Sequence, residues 1–110
     1  MTPISKAAEP LYSALSGDPD LAELVEMFVQ EMPGRVAALV DQLDGCDWEG
    51  LHRTAHRLKG SAGSYGYAPI SRCADRLEEA VCTGEPEDRI REAVDALIAV
   101  CRRARGRAPT

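Results

Sequence analysis

The residues with the clearest chemical potential lie in one short stretch, Ala55-His56-Arg57-Leu58-Lys59-Gly60-Ser61-Ala62-Gly63. If it is helical, at about 100° per residue, the apolar stripe through Ala55 and Ala62 marks the buried side. His56 then falls about 130° from the centre of that stripe, at the edge of the solvent face. Lys59 and Gly60 stand one turn further on and flank the imidazole, and Gly63 lies almost in line with it two turns on. An exposed neutral imidazole is a nucleophile, and a neighbouring ammonium suits an anion. Each glycine costs a helix about 0.5–1 kcal/mol against alanine, so two on one face imply a need for open space there. Together these residues describe a nucleophile, a charge-stabilising cation and a cleared approach: His56, Lys59 and Gly60.

The surroundings are basic. Between Leu51 and Ser64 stand Arg53, Arg57 and Lys59 and no acid. Arg57 projects about 110° from His56 and is left out of the site on helical geometry. His52 and His56 share the i, i+4 spacing that can bind a metal. Glu49 is the only nearby carboxylate on that face of the same helix, and no third ligand is evident, so a metal site is not expected.

This stretch must be carried by a helix, and the whole chain reads as a series of them. Residues 1–17 form a lead-in with one short helix expected around Ala7–Leu15. Gly17-Asp18-Pro19-Asp20 is a turn with a capping carboxylate. Leu21, Leu24, Val25, Phe28, Val29 and Met32 then mark one helix face, and Val36, Leu39, Val40 and Leu43 continue the period beyond Pro33. Pro33 either kinks one long helix or opens a second from its first turn; a single kinked helix is the expectation. Gly45-Cys46-Asp47 ends that element, with Asp47 placed to cap the next. The site helix is predicted from Trp48 to Gly63 or Ser64, where Gly63-Ser64-Tyr65-Gly66 breaks it. A further helix begins near Ala68-Pro69 with Ile70, Cys73, Ala74, Leu77 and Val81 on its stripe. After Thr83-Gly84-Glu85-Pro86, the last carries Ile90, Val94, Leu97, Ile98 and Cys101 and frays into Arg102–Thr110. No strand pattern is seen. Short turns between helices imply antiparallel neighbours, hence an all-α, up-down four-helix bundle over residues 18–106, with 1–17 as lead-in and 107–110 as tail.

Composition agrees. The chain has 110 residues, enough for one domain, and its hydrophobic fraction is 45% with only one Trp, one Phe and three Tyr, so the core is aliphatic. A net charge of −5 argues against nucleic-acid binding. The basic run Arg102, Arg103, Arg105 and Arg107 reads as favourable charge at a helix C-terminus. No apolar run reaches a membrane span and no secretory signal opens the chain, so a cytoplasmic location is expected. The four cysteines, Cys46, Cys73, Cys82 and Cys101, have no CxxC spacing and are expected to be reduced thiols, with Cys73 and Cys101 on apolar stripes.

The segment from Ala55 to Gly63, followed by Gly66, resembles the signature of histidine-containing phosphotransfer domains of bacterial phosphorelays. Phe28-Val29-Gln30-Glu31-Met32-Pro33 with Leu39 and Leu43 resembles the first bundle helix of that family. Cys73-Ala74-Asp75-Arg76-Leu77-Glu78 resembles the helix after the histidine. The likeness covers about residues 18–105. Tyr65 and Tyr67 depart from it, standing where relatives often have smaller or aliphatic residues, and this bears on partner preference. The resemblance implies that His56 takes a phosphoryl group from a receiver aspartate and returns it to another, with Lys59 offsetting phosphoryl charge and Gly60 leaving room. It implies response-regulator receivers and a sensor (hybrid) histidine kinase as partners, contacts through Arg53, Gly63 and His52, and a monomer. It implies no cofactor of the chain's own, Mg²⁺ coming with the receiver. Receiver active sites are acidic, so the basic patch would steer encounter. No kinase activity is expected, since no Gly-rich phosphate loop is present. Two other readings stay open at this point: a docking module that is never phosphorylated, and a metal-binding bundle.

Overall fold

Apolar spacing, caps and breakers divide the chain into five helices in the computed structural model, which describes residues 9–15 and 17–106: α1 (Ala22–Gln30), α2 (Met32–Asp44), α3 (Trp48–Ser64), α4 (Ala68–Cys82) and α5 (Glu87–Arg103). Four of them, α2 to α5, form a closed ring in which α3 packs on α2 and α4, and α5 packs on α4 and α2. This is the up-down antiparallel bundle. Its core is mainly aliphatic, with Leu39 of α2, Leu51, Ala55, Leu58 and Ala62 of α3, Ala74 and Leu77 of α4, and Val94 and Leu97 of α5 all fully buried, but its two largest buried side chains are the aromatic Phe28 and Tyr67. The buried residues of α3 recur at helical intervals, so one face of the helix is spent on the core and His56 is left outside it.

Three turns use the same device. At the ends of α2, α3 and α4 the amide two residues past the cap donates to a carbonyl in the last turn: Asp47 N to Gln42 O at 2.8 Å, Tyr67 N to Ala62 O at 2.8 Å and Glu85 N to Ala80 O at 3.0 Å. This motif needs one residue with positive φ. Gly66 (φ 82°) and Gly84 (φ 69°) supply it in two turns, and Cys46 (φ 53°) in the third. Gly66 is also tightly enclosed, because a Cβ there would come within 2.9 Å of the Ala14 backbone nitrogen. Asp47 then caps α3, its side chain accepting from Gly50 N at 2.9 Å.

Two expectations are corrected. The single kinked helix is two helices, divided at Glu31 with Pro33 in the first turn of α2. Proline has no N–H to return to the carbonyl four residues back, so the ladder lapses there and a new helix starts. The lead-in helix is absent over residues 9–15, whose backbone instead forms β1 (Leu11–Tyr12), paired in parallel with β2 (Ala104–Arg105); Ala7 and Ala8 lie outside the described residues. The start of the predicted fray after α5 is thus held in place. Tyr67 donates to Arg105 O at 2.6 Å, and Arg103 Nε donates to Glu9 O at 2.8 Å. Ser13, buried, donates to Tyr65 O, and Ala14 N donates to Gly66 O at 2.8 Å. Two-residue strands are too short to show a period of two, so the sequence carries no strand pattern there.

Candidate functional site

The α3–α4 pair positions the site. Tyr67 is the fold point of this hairpin, and residues equally distant from it on either side come face to face: His56 meets Glu78, and Lys59 meets Asp75. His56 Nδ1 lies 2.7 Å from Glu78 Oε2, and Lys59 Nζ lies 2.6 Å from Glu78 Oε1 and 3.3 Å from Asp75 Oδ1. Ser71 of α4 donates to Lys59 O at 2.9 Å, locking the two helices beside the site.

The charges sort the protons. Glu78 is only 14% exposed, and the Lys59 ammonium that donates to it holds its carboxyl below the ordinary carboxylate range against a smaller opposing push from burial. Lys59 is raised above its ordinary value, first by its hydrogen bond to Glu78 and then by that to Asp75. The Glu78 contribution is therefore present above the ordinary carboxylate pKa and lost as pH falls through its lowered folded value. The Lys59 contribution is present below the ordinary lysine pKa and lost as pH rises through its raised one. Between these limits Glu78 is an ionised carboxylate and only accepts hydrogen bonds. Whenever the imidazole is neutral, the proton of the 2.7 Å contact accordingly sits on His56 Nδ1, and Nε2 carries the free lone pair. The His56 side chain is 65% exposed, and Nε2 has no protein partner among the described residues.

On its other flank His56 borders an open groove of about 620 Å³ lined by Arg35, Arg57, Gly60, Ser61, Ser64 and Tyr65. Nothing lies within 4 Å of where a Gly60 Cβ would be, so this glycine packs against no neighbouring element and leaves space beside the imidazole. Gly63 is different: a Cβ there would touch Ser71 Oγ at 3.5 Å, on the α4 side, and Gly63 is not part of the groove. His52 is brought in beside His56, with parallel rings 6.3 Å apart and Nε2 3.5 Å from the same Glu78 oxygen. Arg53 is exposed, outside the groove and without an ion pair among the described residues. No group of three His, Cys, Asp or Glu side chains among the described residues is arranged to hold a metal ion.

Three readings of α3 in isolation change. The basic patch is partly neutralised, since the α4 carboxylates pair with Lys59. Arg57, set aside on helical angle, forms part of the groove wall because the groove wraps from α3 towards α2. Arg35 of α2 was not singled out, yet it lines the same groove; its guanidinium carbon stands 5.9 Å from the Phe28 ring centre. The signal that would have found Glu78 and Asp75 was the hairpin itself: a short turn centred on residue 67 sets the facing pairs of two antiparallel helices. Of the two tyrosines, Tyr67 is fully buried and stacks on Phe28 with ring centres 5.2 Å apart, while Tyr65 reaches the groove.

The family follows from comparison as well as from geometry. The Hpt domain model matches residues 23–105, most of the chain. The chain belongs to the Hpt domain family, the helical-bundle phosphotransfer modules that carry phosphohistidine in two-component phosphorelays and interact with receiver domains and histidine kinases without kinase activity themselves. No curated protein and no solved structure matches it significantly. Among the described residues no helix is long and apolar enough to cross a membrane.

Proposed function

We propose that this chain carries the phosphoryl group on Nε2 of His56, taking it from a receiver aspartyl phosphate or a histidine kinase and passing it to another response-regulator receiver. The observation that carries this reading is the 2.7 Å contact of Nδ1 with an ionised, largely shielded Glu78, which leaves Nε2 as the free ring nitrogen on an exposed ring. In the transfer, the Nε2 lone pair attacks phosphorus in line, the bond from phosphorus to the aspartyl oxygen breaks, and the aspartate leaves as a carboxylate. The ring keeps its Nδ1 proton and gains positive character, which the Glu78 carboxylate offsets; the reverse step restores the neutral ring. Lys59 is placed one turn away to offset charge on the phosphoryl oxygens, and Gly60 leaves the approach open. Arg53, His52 and Gly63 are contact residues at the edge of the docking face. The chain acts as a monomer and supplies no metal, Mg²⁺ arriving with the receiver, and it works in the cytoplasm where such partners reside.

The test is transfer of labelled phosphate from receivers to the wild-type chain, to His56→Gln and to His52→Gln. Wild type and His52→Gln are expected to take label, acid-labile and comparatively base-stable as a phosphoramidate should be, and His56→Gln to take none. Label on His56→Gln would overturn the assignment, and binding of receivers without any label would favour the docking-only reading.

A further inference from the structure

Arg35 is anomalous. Its Nε is buried and has no hydrogen-bond partner, alone in this among the side-chain nitrogen and oxygen atoms of the described residues. A guanidinium has five N–H donors in a planar fork, and an orphaned buried donor in a native structure calls for a cause. Only Nη2 is engaged, at 3.1 Å, by Glu31 one turn earlier on the same segment, and that carboxylate is 57% exposed. Exposed pairs at this spacing are weak and readily exchanged. Arg35 also borders both depressions between α2 and α3, the groove beside His56 and a second of about 460 Å³ floored by Gly34 and Ala38. Arg57 borders both as well, so two cations without a strong partner meet where the depressions join.

We infer that Arg35 is a docking and specificity residue: on encounter its guanidinium leaves Glu31 and takes a carboxylate of the receiver, bidentate through Nε and a terminal nitrogen. The inference rests on the phosphotransfer reading, because the acidic partner is the receiver that addresses His56 from the groove side. The exchange satisfies the orphaned Nε, replaces a loose internal pair with a fork-to-fork one, and adds a charge-assisted contact that a lysine cannot reproduce. Glu31 acts as an internal competitor that holds the side chain over Phe28 until a partner arrives.

The experiment measures, with the full chain, KM and kcat for transfer from a receiver found to phosphorylate the wild type, and the affinity of that receiver in its unphosphorylated form. Arg35→Gln is expected to weaken affinity and raise KM roughly tenfold while kcat falls less than twofold. Arg35→Lys should recover only part of the loss, and Glu31→Gln should tighten binding about two- to threefold by removing the competitor. Thermal unfolding of each variant shows whether it folds; if Arg35→Gln does not, Glu31→Gln carries the test. Unchanged affinity in both Arg35→Gln and Glu31→Gln, or full rescue by lysine, overturns the inference. A wild-type chain that takes no label at His56 sinks the phosphotransfer reading and this one with it, whereas labelled wild type with indifferent variants sinks this one alone.

Discussion

On the α4 flank of His56 the charged groups are in contact: Glu78 spans the imidazole and the Lys59 ammonium, and Asp75 adds a second carboxylate to the lysine. On the α2 flank the cations Arg35 and Arg57 stand around an open groove beside Gly60, and among the described residues the ion pair there joins Arg35 to an exposed Glu31 on its own segment. Under the function proposed for His56, the two sides meet different demands. A nucleophile must have its tautomer and orientation set before the partner arrives, which requires a held, largely shielded acceptor. A docking surface must exchange its contacts for those of a partner, which requires weak internal ones. The imidazole lies on the boundary, with one nitrogen on the closed side and the other free.

Removing the closed side should have the largest effect. Glu78→Ala deprives Nδ1 of its acceptor and leaves Lys59 with Asp75 alone, and transfer to His56 should fall about 10- to 100-fold. Glu78→Gln keeps an amide oxygen for Nδ1–H and should recover most of that loss, so rescue by glutamine separates orientation from charge. Equal rates for wild type and Glu78→Ala in single-turnover transfer would show that the closed flank does not prepare the ring.

Lys59→Ala tests the other partner of Glu78. Its ammonium is already shared between two carboxylates, so contact with phosphate requires an exchange, and the rate should fall by about tenfold, at the low end for a charge-assisted contact. Thermal unfolding should shift little, because the Asp75 pair is exposed and Glu78, though largely shielded, keeps its contact with His56. An unchanged rate at subsaturating receiver would make Lys59 a surface residue paired for solubility.

The smallest change concerns the open side. Gly60→Ala adds a methyl group to empty space, so stability should rise by up to about 1 kcal/mol while transfer falls several-fold. Gly60→Gln should impair transfer further. Both quantities are read from one preparation by thermal unfolding and by transfer rate. A rise in both would show that clearance beside the imidazole is not limiting; a loss of stability would show that Gly60 packs against something after all.

Much of this was legible along the chain. The period of Leu51, Ala55, Leu58 and Ala62 sets the face of α3 and with it the exposure of His56, Lys59 and Gly60, because side-chain direction in a helix follows from about 100° per residue and nothing else. Asp47 and Gly66 mark the two ends of α3 by local hydrogen bonding and backbone sterics. What could not be read locally depends on how separate segments register. Pro33 has the same neighbours whether it kinks a helix or begins one, and its missing N–H fits either outcome; the structure divides the helix at Glu31. Glycine preference would have placed Gly45 at the positive-φ position of the α2–α3 turn, yet helix α2 runs one residue further and Cys46 takes it. The pairing of Leu11–Tyr12 with Ala104–Arg105 joins the segments before α1 and after α5 through two residues each. Glu78 and Asp75 are ordinary solvent-face acids on α4 by pattern, and Arg35 an ordinary first-turn cation on α2. Only the fold point at residue 67 and the packing of α2 on α3 turn them towards His56. Contacts between helices depend on turn length and axial register, which no single helix contains, and a shift of one residue, 1.5 Å along the axis and about 100° around it, would break every one of them.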